Sequence, residues 1–407
     1  MKTIQLFLIV SFFFIGDLFS QGFISDQLSK KKNIDEEEVQ WEDPSFPGSW
    51  LMYGKGNVRM KIGGYMKNDF VYDVNGTRDK TQFLMSTIPV KGEADYGSTG
   101  YVSFFSKETR INLDVRSKVS NTPVQMFVEG DFFSSSGNQF RMRHAYLKVG
   151  KFTFGQTWTN LTFLETLPFI IDFAAGDALF GGRSNQIRYE TNINKNWLFG
   201  ASIEYLENMG IENPNTLNGV AQAQLPLLSM KFIYSKKNTK LFFGASAAQL
   251  NWTGGPEGKN ASTPQLDIIF GGRRQINRKN SVSWNVNYGI GSGENILAFI
   301  GSNANAVLTQ EGELVAMKSF SALVGYTHHW NEKWSSNFSY AYGWLMDIPD
   351  SRDPFALKAG GISHINLVWQ PLKYFSTGIE YMRGTQRTAN SALGTANRFQ
   401  LMTKFDF

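Results

Sequence analysis

The stretch from Asn160 to Gly182 reads NLTFLETLPFIIDFAAGDALFGG. It separates one short alternating segment, Lys151–Trp158, from another, Ser184–Ile193, so it is a connection. From Thr159 to Arg183 it has about 25 residues, and connections of that length inside compact structures are usually functional or disordered. Disorder requires polar, charged composition. Here Leu161, Phe163, Leu167, Phe169, Ile170, Ile171, Phe173, Leu179 and Phe180 demand cover that a surface loop does not have. If the flanking segments are strands of a large barrel, folding the connection into the lumen buries these side chains against the inner wall and narrows a channel.

The rest of the chain supplies such strands. Val58, Met60, Ile62, Met66, Phe70 and Tyr72 alternate with Arg59, Lys61, Lys67, Asp69 and Asp73. Val282, Trp284, Val286, Tyr288 and Ile290 alternate with Ser281, Ser283, Asn285, Asn287 and Gly289, and the chain closes on Phe399, Leu401, Phe405 and Phe407 alternating with polar residues. A period of two marks strands with one apolar and one wet face. Sixteen segments result: 57–73, 100–118, 122–133, 139–149, 151–158, 184–193, 195–206, 220–236, 239–252, 263–276, 280–291, 315–329, 333–345, 360–371, 372–383 and 396–407.

Long and short connections alternate, from residues 74–99 and the tight Ser120–Asn121 turn to a last long loop at 384–395. This asymmetry predicts an all-β, 16-stranded antiparallel transmembrane barrel with short periplasmic turns, long outer loops and an inward-folded third outer loop. Sixteen strands enclose an aqueous lumen. Tyr and Trp at segment ends (Trp330, Trp334, Tyr340, Tyr342, Trp344, Trp369, Tyr374) fit two aromatic girdles. A sandwich core is the competing reading of those rings.

Composition agrees with this assignment. The 407 residues contain no Cys, so disulfide and thiolate chemistry are excluded, and the net charge is +5. Residues 1–20, with Lys2, an apolar core through Phe19 and a small Ser20, read as a secretory signal peptide. Its removal deletes Lys2 and Asp17, which cancel. Beyond it no run approaches the ~18–20 apolar residues of a spanning helix, and barrels alone conceal their membrane signal by alternation. Residues 21–49 form a charged periplasmic tail, Lys30–Lys32 preceding Asp35–Glu38, and residues 50–407 form the barrel domain.

The segment Val128–Phe173 carries Glu129, Asp131 and Phe133, then Arg141, Arg143, His144 and Tyr146, then Gly155-Gln-Thr-Trp158, and finally Pro168, Asp172 and Phe173. Arg183, Gln186, Arg188 and Tyr189 follow. Together they are similar to the DcaP-like porins of Gram-negative outer membranes. The local match covers about sixty residues, and the strand layout extends it over 50–407. The resemblance implies a homotrimeric sixteen-stranded barrel whose third outer loop constricts the pore, and transport of small anionic organic acids. Two departures bear on substrate preference. The coiled-coil segment of some members has room here only in 25–42, and the acidic residue that follows the Gln-Thr-Trp motif is matched only loosely, by Glu165.

With the apolar face outward, the alternation points Arg59, Lys61, Arg110, Arg116, Arg141, Arg143 and Arg188 into the lumen, and Arg183 joins them at the end of the long loop. Such a wall attracts anions, because a guanidinium fork pairs bidentately with carboxylate or phosphate. Glu165, Asp172 and Asp177 on the loop are placed to face it across the constriction, beside Pro168 and Phe173. Alternatively the arginines only brace the wall against Glu129, Asp131 and Glu190. On β-alternation alone, residues 141–149 need a bulge or an early strand end, since one parity would put Leu147 and Val149 inside. His144 reads as outward-facing.

The sequence therefore predicts an outer-membrane porin, a passive channel preferring anionic organic acids such as dicarboxylates, without cofactor, metal or nucleic-acid partner. Outer-membrane lipid and lipopolysaccharide surround it, and the assembly machinery reads the terminal Phe407. A sugar or phosphate channel is the alternative, with Phe127 and Phe133 as candidate aromatic steps. A barrel phospholipase is a further one, but no serine shares the strand face of His144. The four histidines, His144, His328, His329 and His364, are too scattered for a metal site.

Overall fold

A computed structural model of the chain describes residues 51–53, 58–134, 137–174, 178–207, 209–255 and 258–407. The expected leader, the charged tail and Asp177 lie outside the described residues.

Sixteen antiparallel strands close on themselves. They are β1 Val58–Asp73, β2 Val102–Phe105 continued by Arg110–Val119, β3 Thr122–Asp131, β4 Arg141–Val149, β5 Phe152–Trp158, β6 Arg183–Asn194, β7 Trp197–Glu204 and β8 Leu227–Lys236. Then come β9 Thr239–Thr253, β10 Ala261–Gln275, β11 Asn280–Ile290, β12 Lys318–His329, β13 Trp334–Met346, β14 Leu357–Leu372, β15 Phe375–Thr388 and β16 Leu393–Asp406. Each strand pairs with its sequence neighbours, and β1 pairs with both β2 (Lys61↔Asp114) and β16 (Phe70↔Leu401). Among the described residues the sixteen barrel strands leave no open edge, which a membrane interior requires. The seam is finished by Phe407, whose N–H donates to the Gly64 carbonyl at 3.0 Å while its carbonyl accepts from the Gly64 N–H at 3.2 Å.

Alternation decides which face meets lipid. On β1, Ile62, Met66, Phe70 and Tyr72 are exposed on the outer surface, whereas Lys61, Lys67, Asp69 and Asp73 are buried inside. The same split recurs on β10, where Leu266, Ile268 and Phe270 point out and Gln265, Asp267 and Ile269 point in. Trp334 stacks on Trp369 at 5.6 Å on the outer face near the short turns, where an aromatic girdle belongs. No helix among the described residues is long and apolar enough to cross a membrane.

One set of connections is tight. Ser120 and Asn121 both take positive φ (48° and 65°), as a two-residue hairpin turn matching strand twist requires. On the other side, loops are named L1 (residues 74–101), L3 (159–182), L4 (205–226), L6 (291–317) and L7 (347–356). The long loop expected at 384–395 is instead only residues 389–392, because β15 and β16 run on as a paired ribbon to Arg387↔Leu393. Gln386 and Thr388 there are buried on the inward parity of Glu380, whereas Arg383, Thr385 and Arg387 are exposed on the outward one, so this ribbon lacks the apolar stripe that marks the other strands. β2 also departs from one continuous strand. It breaks at residues 106–109, where Glu108 leaves the ladder to meet Lys67. L4 and L6 share a small three-stranded sheet of Ile211–Glu212, Ala306–Leu308 and Leu314–Ala316.

Candidate functional site

The arginine wall occupies β1 to β6. Strand parity brings its members to one face, and the ladder sets their partners. Arg110 lies opposite Asp131 in register, and Asp131 lies opposite Arg141. Arg141 donates to Asp131 through Nε and Nη2 at 3.0 and 2.8 Å, a two-pronged pair. Arg143 bridges Glu129 (3.1 Å) and Asp131 (2.7 Å). Arg110 reaches Glu108 and Glu129 at 3.7 and 4.0 Å. Lower on the wall, Arg116 pairs with Asp114 at 2.7 Å, with half-buried Arg59 opposite it in register and buried Lys61 opposite Asp114. Arg188 meets Glu190 at 3.4 Å, and Glu190 also holds Lys231 at 2.8 Å.

Arg183 differs from these. It is half-buried, its guanidinium lies 4.7 Å from the Trp158 ring centroid, and among the described residues no carboxylate comes within ion-pair distance. It lies in electrostatic reach of Arg143, Arg141 and Arg110. Phe173 from L3 inserts beside this group, 5.6 Å from the guanidinium carbons of both Arg141 and Arg143.

A bulge makes the clustering possible. The register of β3 and β4 slips between Glu129 and Gly130, so that Glu129 faces His144, Gly130 faces Met142, and Arg143 is the extra residue. Both Arg143 and His144 are therefore buried, while Met142 and Leu147 keep their outward places. His144 is not on the lipid face. Its Nδ1 shares a hydrogen bond of 3.0 Å with the Thr157 hydroxyl. Strict alternation cannot express a residue that belongs to neither parity.

L3 runs along the wall of β8 to β15 over inward-facing glycines. A Cβ at Gly244 would meet Leu161 at 2.6 Å, at Gly325 Pro168 at 2.7 Å, at Gly271 Thr166 at 3.0 Å and at Gly378 Ile171 at 3.0 Å. Backbone and side chains of the wall then hold the loop. Glu380 on β15 accepts the Ile171 and Asp172 N–H groups at 2.9 and 3.0 Å, Asn366 donates to the Phe169 carbonyl at 2.9 Å, and Lys67 donates to that of Ile171 at 2.6 Å. Phe163 stacks on Phe242 at 4.8 Å. The loop acids are spent differently from the sequence expectation. Asp172 is buried and accepts the Phe83 and Ala174 N–H groups, and Glu165 pairs with Lys240 on β9 at 2.8 Å, away from the arginine wall. A carboxylate beside free N–H groups is captured by them, which linear charge counting does not reveal.

With this geometry in place, comparison with known proteins is specific. A family profile described as DcaP outer membrane protein matches residues 53–407. The chain belongs to this family. The DcaP channel of Acinetobacter baumannii superposes with a TM-score of 0.75 at 19% identity, covering 87% of this chain and 99% of that one. An anion-selective porin from Comamonas acidovorans gives 0.58 at 12% identity (86% and 100% covered), and the trimer form of OmpT from Vibrio cholerae 0.53 at 12% (86% and 99%). No curated protein matches. The chain is thus a β-barrel of the outer-membrane channel type, placed by family in the Gram-negative outer membrane.

In this DcaP-family barrel two further loops, L1 and L6, pack with L3. Phe83, Met85 and Ile88 of L1, Leu161, Phe163 and Phe180 of L3, and Ile296, Ala298 and Phe299 of L6 form one buried apolar cluster with wall residues such as Phe242, Leu345 and Met382. L3 and L6 also join through a bridge, Phe180↔Ile296, and a Gly181 N–H to Asn295 carbonyl bond of 2.6 Å. Wall glycines again make room, Gly384 for Ile88 and Gly343 for Phe299. The signal was present as short apolar runs, Phe83-Leu-Met85 in L1 and Ile296-Leu-Ala-Phe-Ile300 in L6, each too short to stand out beside L3. L1 is tied down by a buried pair, Arg398 on β16 with Asp73 on β1 at 2.9 Å, which the side chains of Thr77 and Tyr101 complete.

Proposed function

We propose that the chain is a passive channel for small hydrophilic solutes that prefers anionic organic acids such as dicarboxylates. The observation that carries this reading is Arg183, a half-buried guanidinium with no carboxylate in ion-pair reach among the described residues, next to Arg141 and Arg143. The other arginines of the wall are largely held by Glu129, Asp131, Asp114 and Glu190, so they brace the strands as well. Surplus positive charge in a confined, water-filled passage is worth roughly 1–4 kcal/mol to a passing anion, which suffices for preference and not for tight capture. L3, joined by L1 and L6, is the constriction in this reading, since all three pack against inward-facing wall residues.

Phe133 is stacked under Phe173 and flanked by guanidinium, which suits a carboxylate passing along an arginine–aromatic face better than a sugar sliding over open rings. His144, bonded to Thr157 inside the wall, does not supply a lipid-facing hydrolase. The remaining proposals are a homotrimer in the outer membrane, amid lipid and lipopolysaccharide, exported by a leader at residues 1–20 and assembled through recognition of Phe407. Planar-bilayer recordings in a salt gradient test the selectivity. The reversal potential is expected to have the sign of anion preference at neutral pH, and cation preference would refute the arginine argument.

A further inference from the structure

At the short-turn end of the barrel, beneath Pro168 and Phe169 of L3, lies a cavity of about 340 Å³. Its charged lining comes from Arg273 on β10 and from Lys404 and Asp406 on β16, and His329 of β12 lines the same space. These residues sit in the last turns of their strands, at the opposite strand ends from Arg141 and Arg183, so the cavity is separate from the arginine wall. Lys404 and Asp406 neutralise each other at 2.7 Å. Arg273 uses one Nη2 bond on the Ser281 hydroxyl, at 3.2 Å, and among the described residues has no carboxylate in ion-pair reach. Its remaining N–H groups form an unused fork for an anion.

The rest of the lining is neutral and hydrogen-bonding. Thr327 donates to Asn337 at 2.8 Å and so keeps its own oxygen free to accept. Gln370 donates its amide N–H to the Lys373 carbonyl at 2.9 Å, leaving its carbonyl oxygen as an acceptor. Ser335 and Ser376 line the same space. One fixed cationic fork beside several hydroxyl and amide groups matches a solute with a carboxylate at one end and hydroxyls on its body. The volume is that of a site for one small molecule.

We propose that this vestibule is a second binding site, on the short-turn side of L3, for a small hydroxycarboxylate. It rests on the channel reading above and narrows the solute class. Arg273 binds the carboxylate, and the Thr327, Ser335, Ser376 and Gln370 groups exchange hydrogen bonds with the hydroxyls that a plain dicarboxylate lacks.

The test is block of the chloride current in planar bilayers, with L-malate or succinate added to the chamber facing the short-turn side. Malate is expected to halve the current at a concentration at least threefold below that of succinate. Arg273→Gln is expected to raise the half-blocking concentration of malate about tenfold. Ser335→Ala with Ser376→Ala, which leaves every charge in place, is expected to erase the malate–succinate difference. Equal block by the two acids, or an Arg273→Gln channel blocked like the wild type, overturns the proposal. The reversal potential is read separately. A cation-preferring wild type that malate blocks through Arg273 would remove the selectivity reading and leave this site standing.

Discussion

Phe173 of L3 stacks on Phe133 of β3 with ring centroids 4.1 Å apart and planes 10° from parallel, and the Arg141 guanidinium lies about as close to each ring, at 5.6 and 6.0 Å. The loop is thereby fastened to the arginine wall through aromatic and cation–π contacts, which leave guanidinium N–H groups for solute. Replacing Arg141 and Arg143 together by Ala should move the reversal potential toward zero. Because Asp131 loses both of its partners and Glu129 its nearer one, the sign of selectivity can even invert. An unchanged reversal potential in this double mutant would place the selectivity elsewhere.

Glu380 holds the tip of L3 through two backbone N–H groups, and it also accepts from Asn366 (2.8 Å) and from His364 Nδ1 (3.1 Å). Hydrogen bonds to a charged acceptor are each worth about 1.5–3 kcal/mol. Glu380→Ala should therefore release Ile171 and Asp172 from the wall while the closed sheet persists. Single-channel recordings should show larger open-channel noise and frequent sublevels. Quiet wild-type traces from this mutant would mean that the glycine-lined groove holds the loop without it.

Arg398 and Asp73 are both fully buried and lie on the strands that close the barrel. Breaking such a pair by removing one partner costs about 3–5 kcal/mol, whereas replacing both with apolar residues costs far less. Arg398→Ala should lower the temperature at which the folded band converts to the unfolded band on electrophoresis. Asp73→Leu with Arg398→Met should recover most of that loss. A double mutant as heat-labile as the single one would argue against ion-pair burial as the cause.

Glu294, in L6 and outside the strands, accepts the Gly301 and Ala304 N–H groups at 2.6 and 3.2 Å, and burial raises its pKa above the ordinary carboxylate value. A carboxyl raised on folding binds its proton more tightly in the folded state. Its stabilising contribution is complete below the unfolded pKa and is lost as pH climbs through the raised folded value. L6 should accordingly resist proteolysis better at pH 4 than at pH 7, and Glu294→Gln should flatten that dependence. Greater protection at pH 7 in the wild type would contradict the sign.

Much of this was legible in residue order. Ile62, Met66 and Phe70 against Lys61, Lys67 and Asp69 fix the two faces of β1, and the same rule fixes the inward set of arginines. Parity also required an irregularity near Leu147, either a bulge or an early strand end; that it is a bulge, and that Arg143 absorbs it, did not follow. His144, Asp172 and Glu165 were misplaced for a common reason. Their surroundings come from segments distant in sequence: Thr157 on the next strand, the Phe83 N–H in L1, and Lys240 on β9.

By itself, then, the sequence determined the closed cylinder, its strand count and its oily exterior, because alternation is a local property dictated by a backbone that must satisfy its own hydrogen bonds in lipid. The tertiary structure alone decided how the interior is filled. Inward glycines from β9, β10, β12 and β15 become one groove only after the sheet has closed, and only then do L1, L3 and L6 find one another and share a core. Contacts between residues up to two or three hundred positions apart depend on barrel curvature and strand register, which no window of sequence contains.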